Sequence, residues 1–159
     1  MPKIDIKDHE ISYSFNGVSR GISSSTIVLI HGAGGQKIDW PEAWRSTNIK
    51  AKSMGLTPSN QGVIRLFNAG LDDYSIYAVD LPGHGKSDGS SKSSIDEYSS
   101  DVIDFLDAMG LENVCLVGHS MGAAIALNAS LSQHWRICSV VSIGGASKMI
   151  VNDAILEGL

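Results

Sequence analysis

The ten residues NVCLVGHSMG, Asn113 to Gly122, decide how the rest of the chain is read. Their first half is a short apolar run without alternation, the pattern of a strand buried on both faces. Their second half is G-x-S-x-G, and the residues that follow, AAIALNAS, predict a helix opening at Ser120. The chain holds 23 serines, so a serine alone carries no information; its place between strand and helix sets Ser120 apart. A serine on so sharp a turn has an unfavourable backbone, and the turn brings together the residues two before and two after it. Gly118 and Gly122 lack the Cβ atoms that would collide there. The helix N-terminus beneath Ser120 puts positive partial charge where an oxyanion would develop. A glycine-flanked turn without chemistry is the plain alternative, and the flanking strand and helix favour the functional one.

Working outward, TIVLI (Thr26–Ile30), SIYAVD (Ser75–Asp80) and ICSVVSIGG (Ile137–Gly145) are runs of the same kind. Such runs suit parallel strands covered by helices on both faces. Upstream, Lys3–Lys7 and Glu10–Phe15 alternate polar and apolar residues, as half-buried antiparallel strands do, and the polar stretch from Asn16 to Ser25 closes that pair. Ser94–Met109 predicts the clearest helix, with Ile95, Tyr98, Val102, Phe105, Leu106 and Met109 on one stripe. Ser94 and Glu97 form a capping box at its start, and Gly110 stands where a stop belongs. Pro41 suits the first turn of a helix carrying Trp40 and Trp44, Val63–Ala69 suits another, and GLTPSN (Gly55–Asn60) breaks the two. Strand–helix alternation after an antiparallel start predicts an α/β sheet in one domain.

Composition removes several functions. With 12 Lys+Arg against 17 Asp+Glu and no basic cluster, the charge of −5 lacks the footprint of nucleic-acid binding. No apolar run approaches the roughly 18 residues of a membrane span. The polar start MPKIDIKDHE shows no signal peptide, which leads us to expect a soluble, cytoplasmic protein. Two cysteines, Cys115 and Cys138, make neither a disulfide framework nor a metal site; both are expected to be small core residues on adjacent strands.

Two further segments accompany the serine turn: His31-Gly32-Ala33-Gly34-Gly35 directly after TIVLI, and Asp80-Leu81-Pro82-Gly83-His84-Gly85-Lys86-Ser87 after SIYAV. Together the three resemble the α/β-hydrolase fold family, and within it carboxylesterase-like serine hydrolases, across essentially the whole chain. The resemblance implies a mostly parallel sheet with helices on both faces and an antiparallel N-terminal strand pair. It makes Ser120 the nucleophile, the backbone N–H groups of Ala33 and Met121 the oxyanion hole, and Gly118 and Gly122 the elbow glycines. It gives His31 and His84 structural roles in loop turns, and points His119 toward packing rather than toward the serine. His9, on the second strand, and His134, at a helix end, are expected to be solvated. Trp40 and Trp44, four apart, would share a helix face, packing on the sheet more readily than walling a pocket. No metal or organic cofactor is implied.

The sequence departs from that family in two places. Family members carry Ser, then Asp or Glu, then His in chain order. After Ser120 this chain offers only His134, Asp153 and Glu157. His134 falls at the end of the serine's own helix, out of hydrogen-bond reach. Asp153 lies in MIVNDAILEGL, which resembles the start of a lid. Catalytic acid and base are thus both absent from residues 1–159, read as one incomplete domain lacking the C-terminal strands. The interval from His31 to Asp80 is also long, and SMGLTPSNQGV has the look of an inserted loop. The functional expectation is an esterase-class serine hydrolase acting on a small ester-type substrate, incomplete without a C-terminal fragment. The competing expectation is a non-catalytic protein that binds a small ligand or a partner in the same pocket. A serine at the turn disfavours the dehalogenase and epoxide-hydrolase relatives, which use aspartate there. Ile137–Ile143, an apolar strand beside the missing ones, is expected to be an open edge prone to self-association.

Overall fold

The structure, a computed structural model, describes residues 2–17, 26–45, 74–132 and 135–145. The unalternating apolar runs become the centre of a sheet: β3 (Thr26–Ile30), β4 (Ser75–Val79) and β5 (Val114–His119). Before them come β1 (Lys3–Ile6) and β2 (His9–Asn16), and at the far edge lies β6 (Ile137–Ile143). The order is β1-β2-β4-β3-β5-β6. β1 and β2 pair antiparallel, as do β2 and β4; the β4–β3, β3–β5 and β5–β6 ladders are all parallel. The mixed α/β sheet expected from the sequence is therefore present.

Period-two side-chain alternation divides the centre into two cores. On one face Val28, Ile30, Tyr77, Val79 and Leu116 meet the helices α2 (Ile95–Met109) and α3 (Met121–Ser132) through Val102, Phe105, Leu106, Ile125 and Ala126. On the other, Leu29, Ile76, Ala78 and Val117 pack against Trp40, with Trp44 and Cys115 half-buried beside them.

α2 follows its sequence signals. Ser94 Oγ accepts the Glu97 N–H, and the Glu97 carboxylate turns back to accept the Ser93 N–H. Gly110, at φ 60°, closes the helix, and the Leu111 N–H reaches the Leu106 carbonyl. α3 starts one residue later than expected, because Ser120 has a left-handed backbone and cannot be helical.

Among the described residues β6 is an edge strand, open as expected, and its residues after Ile137 are mostly exposed, Val141 and Ile143 among them. Two expectations need correction. Cys138, on that uncovered strand, is exposed rather than in the core. The Trp pair does not share one helix: Trp40 ends a 3₁₀ turn over Lys37–Asp39, and Trp44 lies in the single-turn helix α1 (Glu42–Arg45) behind Pro41. The two rings nevertheless stack, 6.0 Å apart, on the sheet. The expected helix at Val63–Ala69, the inserted loop, His134, Asp153 and Glu157 all lie outside the described residues.

Candidate active site

β5 delivers Ser120 to the carboxyl edge of the sheet, and α3 departs immediately after it. Ser120 stands at φ 53°, a conformation that costs an L-residue roughly 1–2 kcal/mol. Its N–H donates to the Ile143 carbonyl at 2.9 Å, and its carbonyl accepts the Ala123 N–H at 3.0 Å. A Cβ on Gly118 would overlap the Gly122 carbonyl, and one on Gly122 would overlap the carbonyls of Ile30 and His31. Strand, turn and helix can close this tightly only with both glycines in place.

The loop after β3 approaches from the other side. A Cβ on Gly32 would lie 3.1 Å from the Ser120 Cβ, which puts residues 31–35 against the serine. Neither the Ala33 N–H nor the Met121 N–H is hydrogen-bonded to another described group, and Met121 opens the positive end of α3. Serine and loop share a cavity of about 400 Å³ whose walls include His31, Gly32, Asp39, Trp40 and His119.

Two histidines pin that loop to the one after β4. The His31 Nε2 accepts the Leu81 N–H at 3.0 Å, so its Nδ1 carries the proton and donates to the Gly32 carbonyl at 2.8 Å. Burial holds the His31 pKa below its ordinary 6.5, consistent with a neutral ring. His84 repeats the arrangement: its Nε2 accepts the Gly34 N–H at 3.3 Å, and its Nδ1 donates to the Pro82 carbonyl at 2.9 Å. With both ring nitrogens committed, neither histidine is free to take a proton from Ser120.

Beneath them lies a buried ion pair that the sequence did not reveal. Lys37 and Asp80 are each 1% exposed, and the Lys37 ammonium bonds the Asp80 carboxylate and the Ser12 hydroxyl. Asp80 also accepts the backbone N–H groups of Lys37 and Lys86, at 2.6 and 2.8 Å. A lysine just past a glycine run reads as solvated surface; no periodicity marks it as buried. Asp39, at the cavity wall, likewise carried no signal in the sequence.

The remaining histidines differ from expectation. His119 is exposed and lines the cavity instead of packing, because Gly32 and Gly144 flank its ring without side chains. The His9 side chain is only 7% exposed; its Nδ1 meets Asp8 at 2.9 Å, and its Nε2 lies 3.8 Å from Asp101. Burial raises the Asp101 pKa, against the opposing charge of Lys92. No described histidine is hydrogen-bonded to Ser120. Among the described residues no cluster of His, Cys, Asp or Glu is placed to hold a metal ion, and no helix is long and apolar enough to cross a membrane.

Comparison with known proteins adds four findings. A profile described as the alpha/beta hydrolase family matches residues 27–157. A dihydrolipoyllysine-residue acetyltransferase component of an acetoin cleaving system, from Cupriavidus necator, is 28% identical over 87% of the chain and 30% of its own length. A 2-hydroxy-6-oxononadienedioate/2-hydroxy-6-oxononatrienedioate hydrolase from Paraburkholderia phymatum is 32% identical over 80% of the chain and 38% of its own length. The solved structure of a thermophilic esterase superposes with a TM-score of 0.66 at 23% identity, covering 99% of this chain and 49% of that one. The chain thus spans about a third of the length of these two curated relatives and half of the solved one.

Proposed function

Because the chain belongs to the alpha/beta hydrolase family, we propose that it is part of an esterase-class serine hydrolase that works through an acyl-enzyme at Ser120. One observation carries the reading. A serine in a strained left-handed turn faces a loop across a cavity, and the backbone N–H groups of Ala33 in that loop and of Met121 next to the serine are unpaired among the described residues. Strain held at one residue of a cavity, beside unpaired donors, is the arrangement acyl transfer uses.

In this mechanism Ser120 Oγ attacks the carbonyl carbon of a carboxylic ester or thioester and gives its proton to a base. The carbonyl oxygen becomes an oxyanion held by the Ala33 and Met121 amides, at the positive end of α3. Collapse expels the alcohol or thiol, which takes the proton, and leaves an acyl ester on Ser120. Water, deprotonated by the same base, then attacks the acyl carbon and releases the acid and the free serine. The base and its carboxylate partner come, in this reading, from a C-terminal fragment. That fragment docks against the open edge of β6 and completes the domain that residues 1–159 begin. Its dimensions are supported by the relatives, two to three times longer than this chain.

A second reading has one observation in its favour: no described histidine bonds Ser120, as expected of a pocket that binds without catalysis. Turnover of short-chain p-nitrophenyl esters, measured with and without the C-terminal fragment, separates the two. We expect turnover only in the complemented protein, abolished in Ser120→Ala. Ala33→Gly should be mild. Ala33→Pro, which has no N–H to offer, should lose about two to three decades. Equal turnover in the two Ala33 variants would move the oxyanion donor elsewhere. Turnover that survives Ser120→Ala would end the assignment.

A further inference from the structure

We infer that Asp39 makes the cavity select acyl groups that carry no negative charge, admitting neutral esters and disfavouring carboxylate-bearing ones. The inference rests on the Ser120 reading above and names its substrate class. Asp39 is the one formally charged side chain among the described residues that line the cavity. Its carboxylate is fixed in place, because Oδ2 accepts the Gln36 N–H at 2.8 Å at the end of the Gly32–Gly35 loop. No cation answers it from the described walls. Lys37, two residues earlier in sequence, is turned away and spent on Asp80 and Ser12 in the buried layer below. His31 is neutral, with both nitrogens committed to backbone groups. Trp40, 8% exposed, contributes an apolar wall.

Asp39 is exposed where it lines the cavity of about 400 Å³ that it shares with Ser120, so a carboxylate on an acyl chain held at Ser120 meets its field across that cavity. Two like charges roughly 7 Å apart, in a site partly open to water, separate anionic from neutral ligands by about three- to tenfold. Salt screens that difference, because the Debye length shrinks to about 3 Å at 1 M.

The test uses two alkyl fluorophosphonates that differ only at the chain end, one a carboxamide and one a carboxylate. The rate at which each labels Ser120 of the chain complemented by the C-terminal fragment is followed by intact mass at pH 8. The readout is the ratio of the two rates, so any change in the serine's reactivity cancels. We expect the carboxamide to label about three- to tenfold faster at low salt. The ratio should fall toward one in Asp39→Asn, whose amide oxygen can still accept the Gln36 N–H, and toward one again near 1 M salt. The salt series on the unaltered protein decides the matter should Asp39→Asn fail to fold. Equal rates at low salt, or a ratio indifferent to both salt and Asp39→Asn, would overturn the role of Asp39 and leave Ser120 standing. Labelling of Ser120 by neither probe would overturn both.

Discussion

His31 shows how a single side chain ties the chemistry of a loop to pH. The ring is neutral, with Nδ1–H donating to Gly32 and Nε2 accepting from Leu81, and burial depresses its pKa below 6.5. In the unfolded chain the same ring takes up a proton near pH 6.5. Below that value the unfolded state therefore binds more protons than the folded one, and stability falls as pH falls toward the lower folded pKa. Above 6.5 both states are neutral and this contribution is constant. We expect thermal denaturation to show a drop in Tm between pH 7.5 and 5.5 that is smaller in His31→Gln. An equal drop in both proteins would assign the pH dependence to other groups. Ser120 is strained at this same scale, yet its strain was legible in advance, since G-x-S-x-G between strand and helix fixes the turn by steric exclusion alone.

At the scale of elements, the Lys37–Asp80 pair joins three pieces: the 3₁₀ turn after the glycine loop, the end of β4, and β2 through Ser12. Two buried charges are tolerable together and costly apart. Lys37→Met should destabilise by about 3–5 kcal/mol, because it strands a buried carboxylate. The double change Lys37→Met with Asp80→Asn should cost clearly less than the sum of the two single changes. Urea titration of the four proteins checks this; strict additivity would mean the pair is not coupled. The elements themselves were legible to unequal degrees. α2 was readable almost to the residue, since an apolar stripe, Ser94, Glu97 and Gly110 all agree on its bounds. The central strands were readable because burial on both faces removes alternation. Lys37 was not, because what buries it is Asp80, 43 residues away, and no local pattern encodes such a partner. His9 was misread as solvated for a similar reason: loop residue Gly89 and helix residue Asp101 close over it from distant parts of the chain.

For the molecule as a whole, the sheet is well covered at its centre and bare at β6, where Val141 and Ile143 are 45% and 39% exposed. Leu131 and Trp135, 84% and 62% exposed, extend the apolar surface at the far end of α3. Such an edge and face invite a further strand and its covering helices. The open edge at β6 was expected, but Cys138 on it was misread as core, because strand composition reports the burial a strand is suited to, not the burial it receives. His119 came out exposed for a related reason, lying over the side-chain-free Gly32 and Gly144 at that same side of the cavity. The central claim is that Ser120 becomes acylated. Its most direct test is to mix the protein with p-nitrophenyl acetate, quench in acid, and locate any acetyl group by tandem mass spectrometry. The account predicts that, with the C-terminal fragment present to supply the base, the acid quench traps an acetyl ester on Ser120 that is absent from Ser120→Ala. Acetylation found only on lysines, or equally in Ser120→Ala, would contradict it.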